Sequence, residues 1–184
     1  MELVLYPAPV LRRRADPIAA VDAEVRERAR RMFEIMYRER GVGLAAPQVG
    51  WSARLFVVNP TGEPDPVLER VYINPEIRIA EGEVVAEEGC LSIPGVRGKV
   101  ARSERVVVRA LGLDGQVFEE DVHDLHARAI QHEIDHLDGI LFITRLNATD
   151  RMAAGKALKE LEKKFKENLK SAGKLPRPPS RAAR

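Results

Sequence analysis

Cysteine and aromatic residues are both scarce in this chain of 184 residues: there is one cysteine, Cys90, and Phe, Trp and Tyr together make up 5%. A lone cysteine excludes an internal disulfide and fits a reducing compartment. With few aromatics there is little for bases to stack on, so sequence-specific reading of RNA is not expected. No window approaches ~18 consecutive apolar residues, so no membrane-spanning helix is expected. Met1 to Val10 has no basic stretch ahead of a long apolar one, so no secretory signal is expected and the expected location is cytoplasmic. Charge of one sign is not in excess overall, since 30 Lys and Arg meet 28 Asp and Glu. The hydrophobic fraction of 45% is enough for a core and excludes a disordered chain. The length fits one domain with a tail.

Hydrophobic periodicity predicts a helix over Asp22 to Arg40, with Val25, Ala29, Met32, Phe33, Met36 and Tyr37 on one side, Asp22 as N-cap and Gly41 as its end. Short strands are expected at Leu55 to Asn59, Val71 to Asn74 and Glu76 to Ala80. Glu104 to Leu111 and Gln116 to Asp121 flank Asp114-Gly115, a hairpin signal. A second helix is expected over Asp124 to Asp138, with Asp124 as N-cap and Gly139 as stop. A third runs from Thr149 to Lys170, with Leu158, Leu161, Phe165 and Leu169 on one side. The expected fold is α+β: a mainly antiparallel sheet packed around the second helix, flanked by the other two.

That second helix carries His132-Glu133-Ile134-Asp135-His136. Positions i and i+4 share a helix face, so both imidazoles can reach one metal ion. Glu133 lies about 100° around the helix from His132, within reach of a water held there. Two ligands and one base in this order are the arrangement of metal-assisted hydrolysis. The bland alternative is a charged helix face with solvated histidines.

A catalytic site usually takes a third protein ligand. Phe142 stands where one protease pattern has a third histidine. Glu160 and Glu162 lie in a Lys-rich segment that reads as a solvated face. His126 is roughly 240° around the helix from His132 and points elsewhere, and His123 precedes the helix. Cys90 remains, a soft ligand within Glu88-Gly89-Cys90-Leu91-Ser92. Its alternative is a small buried hydrophobe. The segment Gly41 to Gly50 lacks the Gly-Lys-Ser/Thr of a phosphate loop. Its small residues allow close approach of a ligand or of a packed helix, and Gln48 offers a neutral amide.

Three segments together resemble the peptide deformylase family: GVGLAAPQ at 41–48, EGCLS at 88–92 and HEIDH at 132–136. The resemblance extends from about Leu5 to Leu146. It implies a metal-dependent hydrolase that removes the formyl group from the N-terminal formyl-methionine of new polypeptides and releases formate. It implies Cys90, His132 and His136 as ligands of one divalent ion per chain. Fe(II) is the expected native metal, with zinc, nickel or cobalt in purified protein. Glu133 is then the general base, and Gln48 with the Leu91 N–H stabilises the developing oxyanion. Val42, Gly43 and Gly89 would offer backbone groups to an extended peptide, with Arg97 near its backbone. Leu125, Ala129 and His132 share one helix stripe, and with Val42, Ala86 and Glu88 from the facing segments they are expected around the methionine side chain. Arg128, four residues before His132, is expected to pair with Glu88 and brace the Cys90 loop.

The chain divides into a catalytic domain at 1–146, a basic amphipathic helix at 147–172 and a flexible basic tail at 173–184. Residues 151–184 hold eleven Lys and Arg against Glu160, Glu162 and Glu167, a net of +8 that leaves −6 on the rest. Such asymmetry fits an acidic surface, and the ribosome is the candidate partner; a solvated helix face is the plainer reading. The oligomeric expectation is a monomer. Two other functions compete: a metalloprotease of general specificity, opposed by Phe142, and an inactive ribosome-binding module, opposed by the complete set of ligands and base.

Overall fold

The computed structural model describes residues 1–172. Helix α1 spans Ala23–Arg38. Seven strands follow in order: β1 Gly43–Ala45, β2 Leu55–Val58, β3 Arg70–Glu81, β4 Val84–Gly89, β5 Arg97–Arg102, β6 Arg105–Leu111 and β7 Val117–His123. Then come α2, Asp124–Leu137, and α3, Ala148–Ala172. The sheet β1-β2-β3-β6-β7 and the pair β4-β5 are antiparallel throughout. This is the expected α+β fold. No helix among the described residues is long and apolar enough to cross a membrane.

Both faces of the larger sheet are covered. Phe56, Val58, Tyr72, Val106 and Val108 pack with Ala127, Ile130 and Leu137 of α2. Their neighbours in alternation, Leu55, Val57 and Ile73, pack on the other side with Val25, Ala29, Met32 and Met36 of α1. That explains why β2 reads Leu-Phe-Val-Val with no polar residue: every position is buried. A third cluster joins Leu11, Ile93, Val100 and Phe142 to Leu158, Leu161 and Phe165 of α3. Each large side chain buried this way contributes ~1.5–3 kcal/mol. So α2 is held from several sides and serves as a fixed platform.

Several boundaries depart from expectation. The two short strands at 71–80 are one strand, β3, bulged between Ile73 and Glu76 where Pro75 cannot donate. Asn74 takes φ 50 there, and its side chain bonds Ile18 N at 2.9 Å and Ile18 O at 2.8 Å. Asp22 does cap α1, accepting from Val25 N at 2.9 Å, but the left-handed residue after the helix is Arg40, φ 60, rather than Gly41. Asp124 is not the N-cap of α2. It has φ 52, and His123 occupies the cap position with no side-chain bond. Gly139, φ 73, follows α2 as expected. Leu169 is 59% exposed, because α3 runs past the core it covers. β1, β4 and β5 are short or strongly polar, and their sequence patterns do not announce them. The expected flexible tail at 173–184 lies outside the described residues.

Candidate active site

α2 carries His132, Glu133 and His136 on its buried side, and the end of β4 brings Cys90 to meet them. One donor atom each from Cys90, His132 and His136 lies within 4.8 Å of the others. Cys90 Sγ is 3.2 Å from His136 Nε2. The two imidazoles meet edge to face, with centroids 5.0 Å apart. His132 Nδ1 lies 3.1 Å from Glu88 Oε2, which fixes the ring and leaves Nε2 for the centre. Phe142, at the position of the protease histidine, is buried and packs 6.1 Å from the His132 ring.

The two imidazoles are shifted in opposite directions. Burial works against the charged form of His132, but Cys90 and Glu88 outweigh it and raise its pKa to about 10. Burial, with His132 and Arg102 nearby, holds His136 well below its ordinary value and so in the neutral form that ligates metals. The Cys90 sulfur and the neutral His136 ring therefore offer lone pairs to the spot between them, and His132 Nε2 would join them on losing its proton. A soft thiolate with two imidazoles is a donor set for zinc, iron and related divalent ions.

Glu133 is 4% exposed, and its Oε2 has no hydrogen-bond partner among the described residues. Burial pushes its carboxyl up to about 7, against the pull of His132 and Arg102. A base poised there is matched to neutral pH. β1 passes close beside it: a Cβ on Gly43 would stand 2.6 Å from Glu133 Oε1. Gln48 sits in the tight turn Ala46–Val49 and is 1% exposed. Its Oε1 accepts from Ala45 N at 2.8 Å, and its Nε2 lies 3.5 Å from Cys90 Sγ and 3.3 Å from Ser92 Oγ. The Leu91 N–H donates to no protein acceptor among the described residues.

A cleft of about 680 Å³ opens onto these groups. Gly43, Gly89, Leu125, Ala129 and Arg97 line it. Leu125 is half-exposed at the rim and Ala129 is buried. Arg97 is an exposed rim residue paired with Glu87 at 3.2 Å. Val42 and Glu88 line the cleft as expected, each with one group already engaged, and one expectation needs correction. Ala86 shares the Glu88 face of β4 but does not line the cleft. Glu88 does line it, yet its carboxylate is committed elsewhere, as described below. The Val42 carbonyl already accepts from Asn59 N at 2.9 Å. Strand alternation then turns the N–H and C=O of Gly43 to the open edge. His126 faces away and lies 3.1 Å from Tyr72 Oη.

Behind the site is a buried charge network that the sequence reading only touched. Arg102 bonds Glu88 in a fork, at 2.9 and 3.0 Å, and Asp135 at 2.5 Å. Asp135 also meets Arg145 at 2.6 Å. Arg128 donates to Glu88 at 2.6 Å, the expected pair, and to Val100 O and Val84 O at 3.0 and 2.6 Å. Burial alone would raise the Glu88 pKa, but His132 and Arg102 hold it well below the carboxylate range. Arg102 had one faint signal: it follows Gly98 and Val100 at inward-facing positions of β5.

Residues 1–152 match the family described as Polypeptide deformylase. A peptide deformylase of Acidobacterium capsulatum is 47% identical over 88% of this chain and 95% of its own length. A plant peptide deformylase structure superposes with TM-score 0.90 and 38% identity, over 97% of this chain and 95% of that one. A Plasmodium falciparum peptide deformylase superposes with TM-score 0.88 and 37% identity, over 90% and 98%.

Proposed function

The chain belongs to the peptide deformylase family, hydrolases that remove the N-formyl group of nascent polypeptides, and we propose that Cys90, His132, His136, Glu133 and Gln48 carry this reaction. The observation that carries the assignment is the convergence of a thiol, two imidazoles and a buried carboxylate at the head of one cleft. Cys90, His132 and His136 would hold the divalent ion, Fe(II) in the native protein, which supplies Lewis acidity and makes water acidic enough to lose a proton near neutral pH.

The protein groups divide the remaining work. Glu133 accepts a proton from the attacking water, since its pKa near 7 lets it both take and return one. Charge gathers on the formyl oxygen, and the Gln48 amide and the Leu91 N–H are the nearby donors with capacity to meet it. One such donor is worth ~3 kcal/mol of barrier. Glu133 then gives its proton to the departing amine, and the products are formate and a free methionine N-terminus. Glu88 and Arg128 act behind this set, orienting His132 and tying β4 to α2.

The substrate is an extended peptide. β1 is an edge strand of the larger sheet and β4 an edge of the smaller, so the open edge of Gly43 faces the cleft from one side and Gly89 lines it from the other. Leu125 and Ala129 supply apolar wall for an unbranched thioether side chain. All these groups come from one chain, which is consistent with a monomer. Formylated nascent chains occur where ribosomes work, which favours the cytoplasm, and the basic α3 segment is a candidate ribosome contact. Co-sedimentation with ribosomes, lost on truncation after Leu146, tests that contact.

The direct test is formate release from a formyl-Met tripeptide by anaerobically purified, Fe(II)-loaded protein beside Glu133→Ala. Release that collapses in the variant supports the reading. Equal release from both would remove Glu133 as the base.

A further inference from the structure

The cleft has a direction. Beyond Gly43, which faces Glu133, the β1 strand continues into Leu44, Ala45 and Ala46, all fully buried. An extended peptide on the β1 edge therefore leaves the reacting centre the other way, past Val42, Gly41 and Arg40. Arg40 lies off the strand, in the turn that ends α1, three residues before Gly43 and so at most ~10 Å from it along the chain. With the formyl group beside Gly43, the first three residues of an extended peptide span the same ~10 Å, which brings the third within reach of the Arg40 side chain.

Arg40 is exposed and lines the same cleft. No carboxylate among the described residues is in ion-pair range of it, unlike its neighbours. Glu39 pairs with Arg38 at 2.9 Å, and on the opposite wall Glu87 pairs with Arg97 at 3.2 Å. Deeper in, Arg128 pairs with Glu88 at 2.6 Å. At the mouth, Glu39 and Glu87 are each already paired, with Arg38 behind the rim and with Arg97 across it, so Arg40 is left without a carboxylate among the described residues.

We propose that Arg40 selects the third residue of the formyl-peptide by charge, favouring Asp or Glu there over Lys or Arg. This rests on the deformylation reading above. The side chain is in solvent, so the preference is modest: about five-fold between Asp and Lys at low salt. It is made in the ground state and the transition state alike, so it falls on KM rather than kcat.

The test uses the Fe(II)-loaded full chain and three amidated peptides, formyl-Met-Ala-Asp, formyl-Met-Ala-Gln and formyl-Met-Ala-Lys, with formate release as readout. The expected order of kcat/KM is Asp, Gln, Lys, compressed in about 0.5 M salt. Arg40→Gln levels the series and Arg40→Glu inverts it. A wild-type ratio of one, or a ratio unchanged in Arg40→Glu, would overturn the assignment while leaving deformylation intact. No formate from any peptide would overturn the deformylation reading and this one with it.

Discussion

Replacing Gly43 with alanine adds one methyl group at the point where β1 passes the general base. Its Cβ would stand 2.6 Å from Glu133 Oε1 and 3.1 Å from both Cδ and Cγ. Carbon contacts settle near ~3.5–4.0 Å, so the carboxylate must retreat by about 0.5–1 Å. It cannot swing into solvent, because Glu133 is 4% exposed, and β1 is pinned by its ladder to β2. A displacement of that size at a reacting group costs ~100-fold in kcat. Overpacking costs ~1–3 kcal/mol, or a Tm lower by about 3–9 °C. Gly41→Ala makes a matched control: its Cβ meets Leu91 Cδ1 at 2.7 Å, the free end of a flexible side chain, so a loss of only a few-fold is expected. The assay is formate release at saturating formyl-Met tripeptide, with metal per chain and melting temperature measured on each variant. Full kcat in a folded, metal-loaded Gly43→Ala protein would refute the reasoning, since Glu133 could then not be the group whose position sets the rate.

Glu133→Gln keeps the shape but cannot take a proton, so kcat should fall by ~10²–10⁴ while metal content stays unchanged; metal analysis beside turnover checks both halves. Glu88→Ala frees the His132 ring, strands the buried Arg128 without a carboxylate and leaves Arg102 with Asp135 alone. Metal affinity in chelator competition should drop ~10–100-fold, and denaturant unfolding should show a loss of ~3–5 kcal/mol. Gln48→Leu should cost ~10²–10³ in kcat with the metal retained, as for an oxyanion donor; a change confined to KM would reassign Gln48 to substrate binding. Burial, then the bond to Glu120, raises the Tyr72 pKa far above its ordinary 10.0. The unfolded chain therefore loses that proton first, so the stability Tyr72 contributes is intact below pH 10 and is lost as pH rises beyond it. Tyr72→Phe should flatten the fall in melting temperature above pH 10, and an equally steep fall in the variant would count against the argument.

What was legible in the sequence followed from local geometry. The rule that i and i+4 share a helix face is a property of the helix itself, so His132 and His136 could be paired, and Glu133 set beside them, before any fold was known. The α1 period and the Asp114-Gly115 hairpin were readable for the same reason, since each involves neighbours in the chain. The reading failed where local preference was overruled: Asp124 is a good capping residue, but the turn out of β7 puts it at φ 52. Likewise Asn74-Pro75 looked like a strand break, yet a bulge carries β3 through it. Cys90 could be nominated by elimination and resemblance, but its distance to His136 depends on how β4 packs against α2. So do the close pass of Gly43 by Glu133 and the Arg145-Asp135-Arg102-Glu88 network. A buried arginine looks like a surface one in sequence, because what makes it tolerable is a carboxylate dozens of residues away. The chemistry of the site was thus determined by the residue types and spacing of one helix, and its placement, charge balance and access were decided only by the tertiary packing that brought distant strands to that helix.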